Sequence, residues 1–505
     1  MTDVTVQVKP GTARTARSPR RSPGRPRGRL AGVRNAFGPL TAWLGRPLAS
    51  FHLVLAVFGL LAAIGLVMVA SASSVVSYQA NSQSVYALFK KQVAFALIGL
   101  VLFWIAMRLP LRRIRALSGP AVTACVTLLI LVLTPLGHSV SATRGWFILG
   151  PISFQPVEVA KLALALWGAH VLVQKRAVLH QYRHLLVPVV PVALVMLTLV
   201  ILQPDLGSTV TLGVVLMALL WFIGAPLRLF VTATVAAVGG VVALSVGASY
   251  RFARVTAFLH PQGDVSGTAY QANQALYALA DGGLFGRGLG LGSAKYDYLP
   301  YVHTDFIFAL IGEELGLVGC ALVLGLFAMV AVIGMRIAAR NIDPWIRVVA
   351  ATLTTWLVGQ AAVNIGYVVG LLPVTGIPLP MISYGGSSLV VTMIVFGILA
   401  NCARHEPEAV AALRSQGPGR VGGLLHLPAP EVYQPPARRR PARPSTPPKP
   451  ARARAGAKTG SRAGARAGAK SAGGATRRRS ASRVGEERWN PGRYRSGRTI
   501  EGGGR

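Results

Sequence analysis

The chain has 505 residues, 52% of them hydrophobic and only 13% charged, yet its formal net charge is +36. A single soluble globular domain is excluded, because these figures come from an overwhelmingly apolar middle, about 50–403, set between two polar, basic ends. The three cysteines, Cys125, Cys320 and Cys402, lie singly inside apolar runs, which excludes a disulfide framework and offers no paired metal spacing.

Residues 1–48 are rich in Arg, Pro, Ser and Thr and carry too little apolar surface to offset the entropy of ordering them, so they read as a disordered basic tail. The first apolar run begins near Phe51, too late for a cleavable signal peptide and long enough to remain as a signal anchor. Runs of spanning length follow near 51–71, 92–108, 119–136, 157–173, 185–202, 208–223, 227–249, 306–335, 346–370 and 386–403. This pattern predicts an all-α polytopic membrane protein with about ten transmembrane helices, a membrane domain over 49–403 and a large outer loop over 250–305. Only GlyAlaPro, followed by LeuArg at the start of the second run, separates the runs at 208–223 and 227–249. Gly and Pro recur within and beside the runs (Pro188, Pro191, Pro204, Pro226, Pro373, Pro378, Pro380), a sign of broken helices around a cleft. After 403 the chain turns to Pro, Gly, Ala, Lys and Arg, a second disordered basic tail over 404–505.

Positive charge orients the set. Arg108, Arg112, Arg113 and Arg115 crowd one short loop; Lys175, Arg176 and Arg183 sit in a second, and Arg336, Arg340 and Arg347 in a third. Counting spans puts these loops on one side with both basic ends, so both termini are expected in the cytoplasm. The +36 charge therefore belongs to the ends. Anionic lipid head groups are the expected partner of such tails, with an acidic protein next and a solvated linker as the plain alternative; no nucleic acid is expected.

The region 50–403 holds nine carboxylates: Glu158, Asp205, Asp264, Asp281, Asp297, Asp305, Glu313, Glu314 and Asp343. All but Asp343 fall in or near the outer half, and ionisable groups at membrane depth mark a functional site by default. Asp305 begins a spanning run directly after Tyr301, Val302, His303 and Thr304, where it could serve as a helix cap or as a reactive acid at the interface. Glu313 lies roughly 12 Å further along a continuous helix and about 80° round from Asp305, able to reach the same cavity, while Glu314 points away; helix packing is the alternative for both. Glu158 and Lys161 are spaced to pair on one helix face. Arg144 and Lys161 put two cations near the outer interface, suited to a diphosphate. The GlyArgGlyLeuGlyLeuGly run at 286–292 mimics a nucleotide loop, but no strand precedes it.

The stretch 282–316 reads GlyGlyLeuPheGlyArgGlyLeuGlyLeuGlySerAlaLysTyrAspTyrLeuProTyrValHisThrAspPheIlePheAlaLeuIleGlyGluGluLeuGly. It closely resembles the signature of the SEDS family (shape, elongation, division and sporulation), polytopic bacterial peptidoglycan glycosyltransferases. Further resemblances follow in family order: ArgGlyTrpPheIleLeuGly at 144–150, GlnProValGluValAlaLys at 155–161, GlnProAspLeuGlySer at 203–208, Asn364 with Gly366, and ProValThrGlyIleProLeuProMetIleSerTyrGlyGlySerSer at 373–388. Together they cover about 50–403. Val157 and Met381 depart from the family's usual Ser and Phe without removing a charged group. The TyrLeuPro before HisThrAsp, the IleGlyGluGluLeuGly after it and the long basic tail are more similar to the division branch, of actinobacterial type, than to the elongation branch.

The resemblance implies polymerisation of lipid II at the outer face of the cytoplasmic membrane, at the division septum, with undecaprenyl diphosphate as leaving group. In that reading Asp305 is the catalytic base, Arg144 and Lys161 hold the diphosphate with Glu158 orienting Lys161, and His303 and Ser383 touch substrate. Turn formation is the alternative for Ser383. No metal-ligand set and no cofactor is expected, although a divalent cation on the diphosphate is compatible with the chemistry. The implied partners are a cognate class B penicillin-binding protein and other division proteins, with FtsZ a candidate for the basic C-tail. A lipid II flippase and a division scaffold are the rival readings.

Overall fold

The structure, a computed structural model, describes residues 45–80, 84–140, 143–150, 152–179, 181–246 and 268–434. Of the expected tails over 1–48 and 404–505, residues 1–44 and 435–505 lie outside the described residues, as do residues 250–267 of the large loop, with Asp264. In chain order the helices are α1 (Ala49–Ala72), α2 (Ser74–Ala80), α3 (Ala87–Arg108), α4 (Leu111–Leu131), α5 (Pro156–Gln174), α6 (Tyr182–Leu186), α7 (Val189–Ile201) and α8 (Leu206–Ile223). Then come α9 (Leu227–Val246), α10 (Thr268–Asp281), α11 (Ile307–Arg340), α12 (Pro344–Val368), α13 (Gly386–Arg404), α14 (Pro407–Gln416) and α15 (Gly419–Leu424).

Among the described residues eight helices are long and apolar enough to cross a membrane: α1, α3, α4, α5, α8, α11, α12 and α13. The two remaining expected runs are represented by the 13-residue α7 and by α9. The protein is thus a helical, multi-pass membrane protein, and the reason is elementary: a helix satisfies its own backbone polar groups where lipid cannot. Local signals place the starts. Asp205 accepts from Ser208 N (2.8 Å) ahead of α8, and Asp343 accepts from Trp345 N (2.9 Å) ahead of α12, each a capping carboxylate. Proline occupies the first turn of α5 and of α12, where its missing N–H costs nothing. In the bundle α13 packs on α3, α11 on α12 and α1, α4 on α5, and α8 on α12.

Three features go beyond the expected pattern. The loop between α4 and α5 carries a small antiparallel sheet, β1 (His138–Val140), β2 (Thr143–Leu149) and β3 (Ile152–Phe154), in the order β1-β2-β3. Phe147 stands opposite Phe154, and Leu149 opposite Ile152.

Second, α11 is broken at Gly316 (φ 68°, ψ −165°), and the glycine-rich loop after α10 is threaded into the break. Arg287 N donates to Glu313 O (2.9 Å) and Gly288 N to Glu314 O (3.0 Å), while Leu317 N and Val318 N donate to Gly283 O and Leu284 O (2.9 and 3.2 Å). The loop thereby supplies the backbone partners that a broken helix loses at membrane depth. Only glycine permits so close an approach: a Cβ on Gly286 would lie 2.2 Å from Glu314 O.

Third, folded chain continues beyond the expected end of the membrane domain at 403. Helix α14 packs Ala409 and Leu413 inward, α15 follows it, Arg340 pairs with Glu406 and Glu408 (3.5 and 3.2 Å), and Trp104 Nε1 donates to Leu425 O (3.0 Å). The expectation of disorder from 404 onward is therefore corrected for 405–434, which has apolar residues to bury. At this same end of the bundle Arg115 pairs with Asp343 (2.6 Å) and stacks over Trp345. That pairing unites two of the basic loops that charge counting had put on one side.

Candidate active site

The site lies at the opposite end of the bundle, where the segments that carry the sequence motifs converge. Asp305 sits in a turn over 301–306, two residues before α11, and is part-buried. It is not the helix cap, a position held by Phe306. Its backbone N–H donates to Tyr301 O (3.0 Å). Its side chain faces the 373–385 loop: a Cβ built on Gly376, itself at φ 71°, would lie 3.6 Å from Asp305 Oδ2. Tyr301 (φ 59°) and Met381 (φ 67°) are left-handed without being glycine, one on each of the two loops that meet here. Strained backbone of this kind persists only where surrounding structure over-determines it, and it gathers at functional sites.

The two loops are joined through α12. Asn364 Nδ2 lies 2.9 Å from the Asp305 carbonyl oxygen and 2.7 Å from that of Ile377. Tyr367 OH lies 3.0 and 2.7 Å from the same two oxygens, with one proton to give between them. His303 O accepts from Tyr384 N (2.9 Å), and the His303 and Tyr384 rings are 5.7 Å apart. Burial holds the His303 imidazole below its ordinary 6.5, so it is neutral at pH 7. Its Nδ1 is buried with no hydrogen-bond partner among the described residues. Ser383 is buried and its Oγ accepts from Leu379 N (2.8 Å), the turn-forming role that was the alternative for it.

The 373–385 loop rests in turn on α8, where a Cβ on Gly207 would meet Thr375 O at 2.8 Å. Asp205 knits that helix start to its surroundings by accepting from Ser208 Oγ (2.6 Å) and from Gln155 Nε2 (3.0 Å), and Gln155 N donates to Ser387 Oγ (3.1 Å). Arg144, on β2, donates its backbone N–H to Gln203 O (3.2 Å), and its Nη2 donates to Thr134 O (3.0 Å). Sequence reasoning left Asp205 and Gln155 without a role; here they hold the motifs together.

Glu158 and Lys161 pair as their spacing predicts, at 3.0 Å, but both are enclosed, 3% and 1% exposed, with Lys161 Nζ 5.1 Å from the Trp356 ring centre. The expected paired grip of Arg144 and Lys161 on one diphosphate thus has Lys161 already committed to a buried partner. Glu313 and Glu314, both 0% exposed, also serve the scaffold. Glu313 accepts from Ser293 N and Oγ (2.6 and 2.7 Å), and Glu314 accepts from Ser71 Oγ (2.6 Å) and lies 3.6 Å from Lys295 Nζ. Among the described residues no group of three or more His, Cys, Asp or Glu side chains is placed to hold a metal ion.

Two residues escaped sequence reasoning. Tyr367 was hidden in an apolar run, although it stands three residues from Asn364 and so on the same helix face. Thr375, with Oγ1 buried and unpartnered among the described residues, entered only as part of the 373–388 motif.

A profile of the cell cycle protein family of FtsW, RodA and SpoVE matches residues 51–408. The Probable peptidoglycan glycosyltransferase FtsW of Mycobacterium tuberculosis is 50% identical over 406 residues, covering 80% of this chain and 76% of that protein. Among solved structures, a chain described under structural coordination of polymerization and crosslinking by a peptidoglycan synthase complex is 28% identical with a TM-score of 0.58. The match covers 72% of this chain and 99% of that one. The rod shape determining protein RodA of Thermus thermophilus gives 28% and 0.53 over the same shares. Shared over nearly the whole membrane domain, with the motifs gathered at one end of the bundle, this likeness makes the chain a member of the FtsW/RodA/SpoVE family of cell cycle proteins.

Proposed function

We propose that this chain is a peptidoglycan glycosyltransferase that polymerises lipid II into glycan strands at the outer face of the cytoplasmic membrane. One observation carries the reading: Asp305, part-exposed, stands at the seam of two loops whose carbonyls are locked together on α12. A sugar hydroxyl is a weak nucleophile, and a positioned base is typically worth about 10²–10⁴-fold. As the 4-hydroxyl oxygen of the incoming GlcNAc forms its bond to the anomeric carbon of MurNAc, its proton passes to the Asp305 carboxylate. The bond from that carbon to the diphosphate oxygen breaks, and undecaprenyl diphosphate leaves with the electron pair. Attack opposite the leaving group inverts the anomeric centre.

Arg144, at the same end of the bundle, is the cation we assign to the donor diphosphate, where it offsets charge on the leaving group. The Glu158–Lys161 pair supports the site from within α5. Neutral His303 offers a hydrogen bond to a sugar without adding charge. Identity of 50% to FtsW against 28% to RodA supports the division branch and, with it, a septal location. The synthase-complex neighbour supports a cross-linking partner, a class B penicillin-binding protein. Both termini lie in the cytoplasm, by the positive loops at the Arg115–Asp343 end.

The test is labelled lipid II supplied to the purified chain with such a partner, the partner's own transpeptidase blocked. A ladder of glycan strands is the expected product. No ladder, with lipid II crossing liposome bilayers instead, would make the chain a transporter.

A further inference from the structure

We infer that Asn364 and Tyr367 form a positioning clamp that sets the reactive acid, and that their loss slows turnover without weakening substrate binding. The inference rests on Asp305 acting as the base. The clamp is a four-group knot. The Asn364 amide and the Tyr367 hydroxyl, 2.6 Å from each other, both reach the carbonyl oxygens of Asp305 and Ile377 at 2.7–3.0 Å. Each carbonyl belongs to a different loop. Asp305 ends the turn that precedes α11, and Ile377 adjoins Gly376, the residue beside the Asp305 carboxylate. Both loops are irregular and would otherwise carry unsatisfied carbonyls at the bundle's edge, whereas α12 is a regular helix of 25 residues.

Both side chains are 0% exposed, so neither can touch a substrate; they can act only through the loops they hold. The Tyr367 ring adds a second hold, edge-on to Phe306 at 5.8 Å, directly after Asp305 in the chain. Asn364 has an amide proton for each carbonyl and Tyr367 a single proton for the two, so Tyr367→Phe leaves both carbonyls bonded but loses the triangulation that fixes them, whereas Asn364→Ala leaves one of them without a donor. A base displaced by a fraction of an ångström from the attacking hydroxyl loses rate steeply, while Arg144, the cation assigned to the donor diphosphate, is not held by the clamp.

Tyr367→Phe, Asn364→Ala and the double variant would be assayed with labelled lipid II and the transpeptidase-blocked partner, beside Asp305→Asn, with thermal unfolding in detergent as control. Tyr367→Phe keeps ring, volume and the Phe306 contact, so it stays folded and decides the matter if Asn364→Ala does not. Each single change is expected to lower kcat about tenfold and the double change about a hundredfold, at unchanged KM for lipid II and, for Tyr367→Phe, unchanged melting temperature. A Tyr367→Phe enzyme with kcat within about twofold of wild type, or one with raised KM and preserved kcat, overturns the clamp alone. An active Asp305→Asn enzyme overturns the clamp together with the assignment of the base.

Discussion

Lys161 is paired with Glu158 at 3.0 Å in a position that is 1% exposed, against 3% for Glu158. A buried ion pair gains little over an apolar pair of the same shape, but an unpaired half is expensive, about 3–5 kcal/mol. Lys161→Met should therefore lower the melting temperature sharply, and Glu158→Gln added to it should restore most of the loss, because the second change removes the orphaned carboxylate. Thermal unfolding in detergent checks the cycle. Should Lys161→Met leave stability intact and raise KM for lipid II instead, Lys161 is a direct ligand, as the spacing with Arg144 first suggested. The pairing of these two residues could be read from their i, i+3 spacing, but their enclosure could not. Burial depends on Trp356, nearly two hundred residues away, which no local pattern connects to them.

At the scale of elements, the junction of the 283–288 loop with α11 is a backbone device. Gly286→Ala and Gly290→Ala make a controlled comparison, since both glycines are left-handed (φ 78° and 79°) but only Gly286 meets a carbonyl oxygen where a Cβ would stand. Gly290→Ala should cost the conformational penalty alone, about 1 kcal/mol. Gly286→Ala should cost several times that, read as a clear extra fall in melting temperature. Equal effects would contradict the inserted loop. The same junction shows where sequence reading reached its limit. The spans were legible as apolar runs because hydropathy is local, whereas the capping roles of Asp205 and Asp343 at the starts of α8 and α12 went unread. The orientation of Glu313 and Glu314 was extrapolated along an unbroken helix from Asp305, but the helix begins only at Ile307 and breaks at Gly316, and both carboxylates are taken up by loop and neighbouring-helix donors. The small sheet after α4 was not legible either, since two of its strands have three residues and too little alternation to stand out from a loop.

For the molecule as a whole, the two ends of the bundle differ in kind. One end gathers Arg115, Asp343, Arg340, Glu406 and Glu408 into ion pairs. The other gathers the motif residues around Asp305. The folded segment to 434 belongs to the first end and moves the natural cut point for separating tail from enzyme. A chain ended after Gln434 should keep strand synthesis and its melting temperature, and any defect should appear as lost recruitment to the septum. A chain ended after Arg404 strips Glu406 from Arg340 and the Leu425 carbonyl from Trp104, and should unfold at lower temperature. Equal stability of the two truncations would return 405–434 to the tail.

The base is the claim on which the rest depends, and strand synthesis from labelled lipid II by wild type and Asp305→Asn, each with the transpeptidase-blocked partner, tests it most directly. The substitution keeps size and backbone and removes only the proton acceptor, so a folded Asp305→Asn protein should lose about 10²-fold or more of the wild-type rate. A folded Asp305→Asn protein that builds strands at close to the wild-type rate would contradict the account.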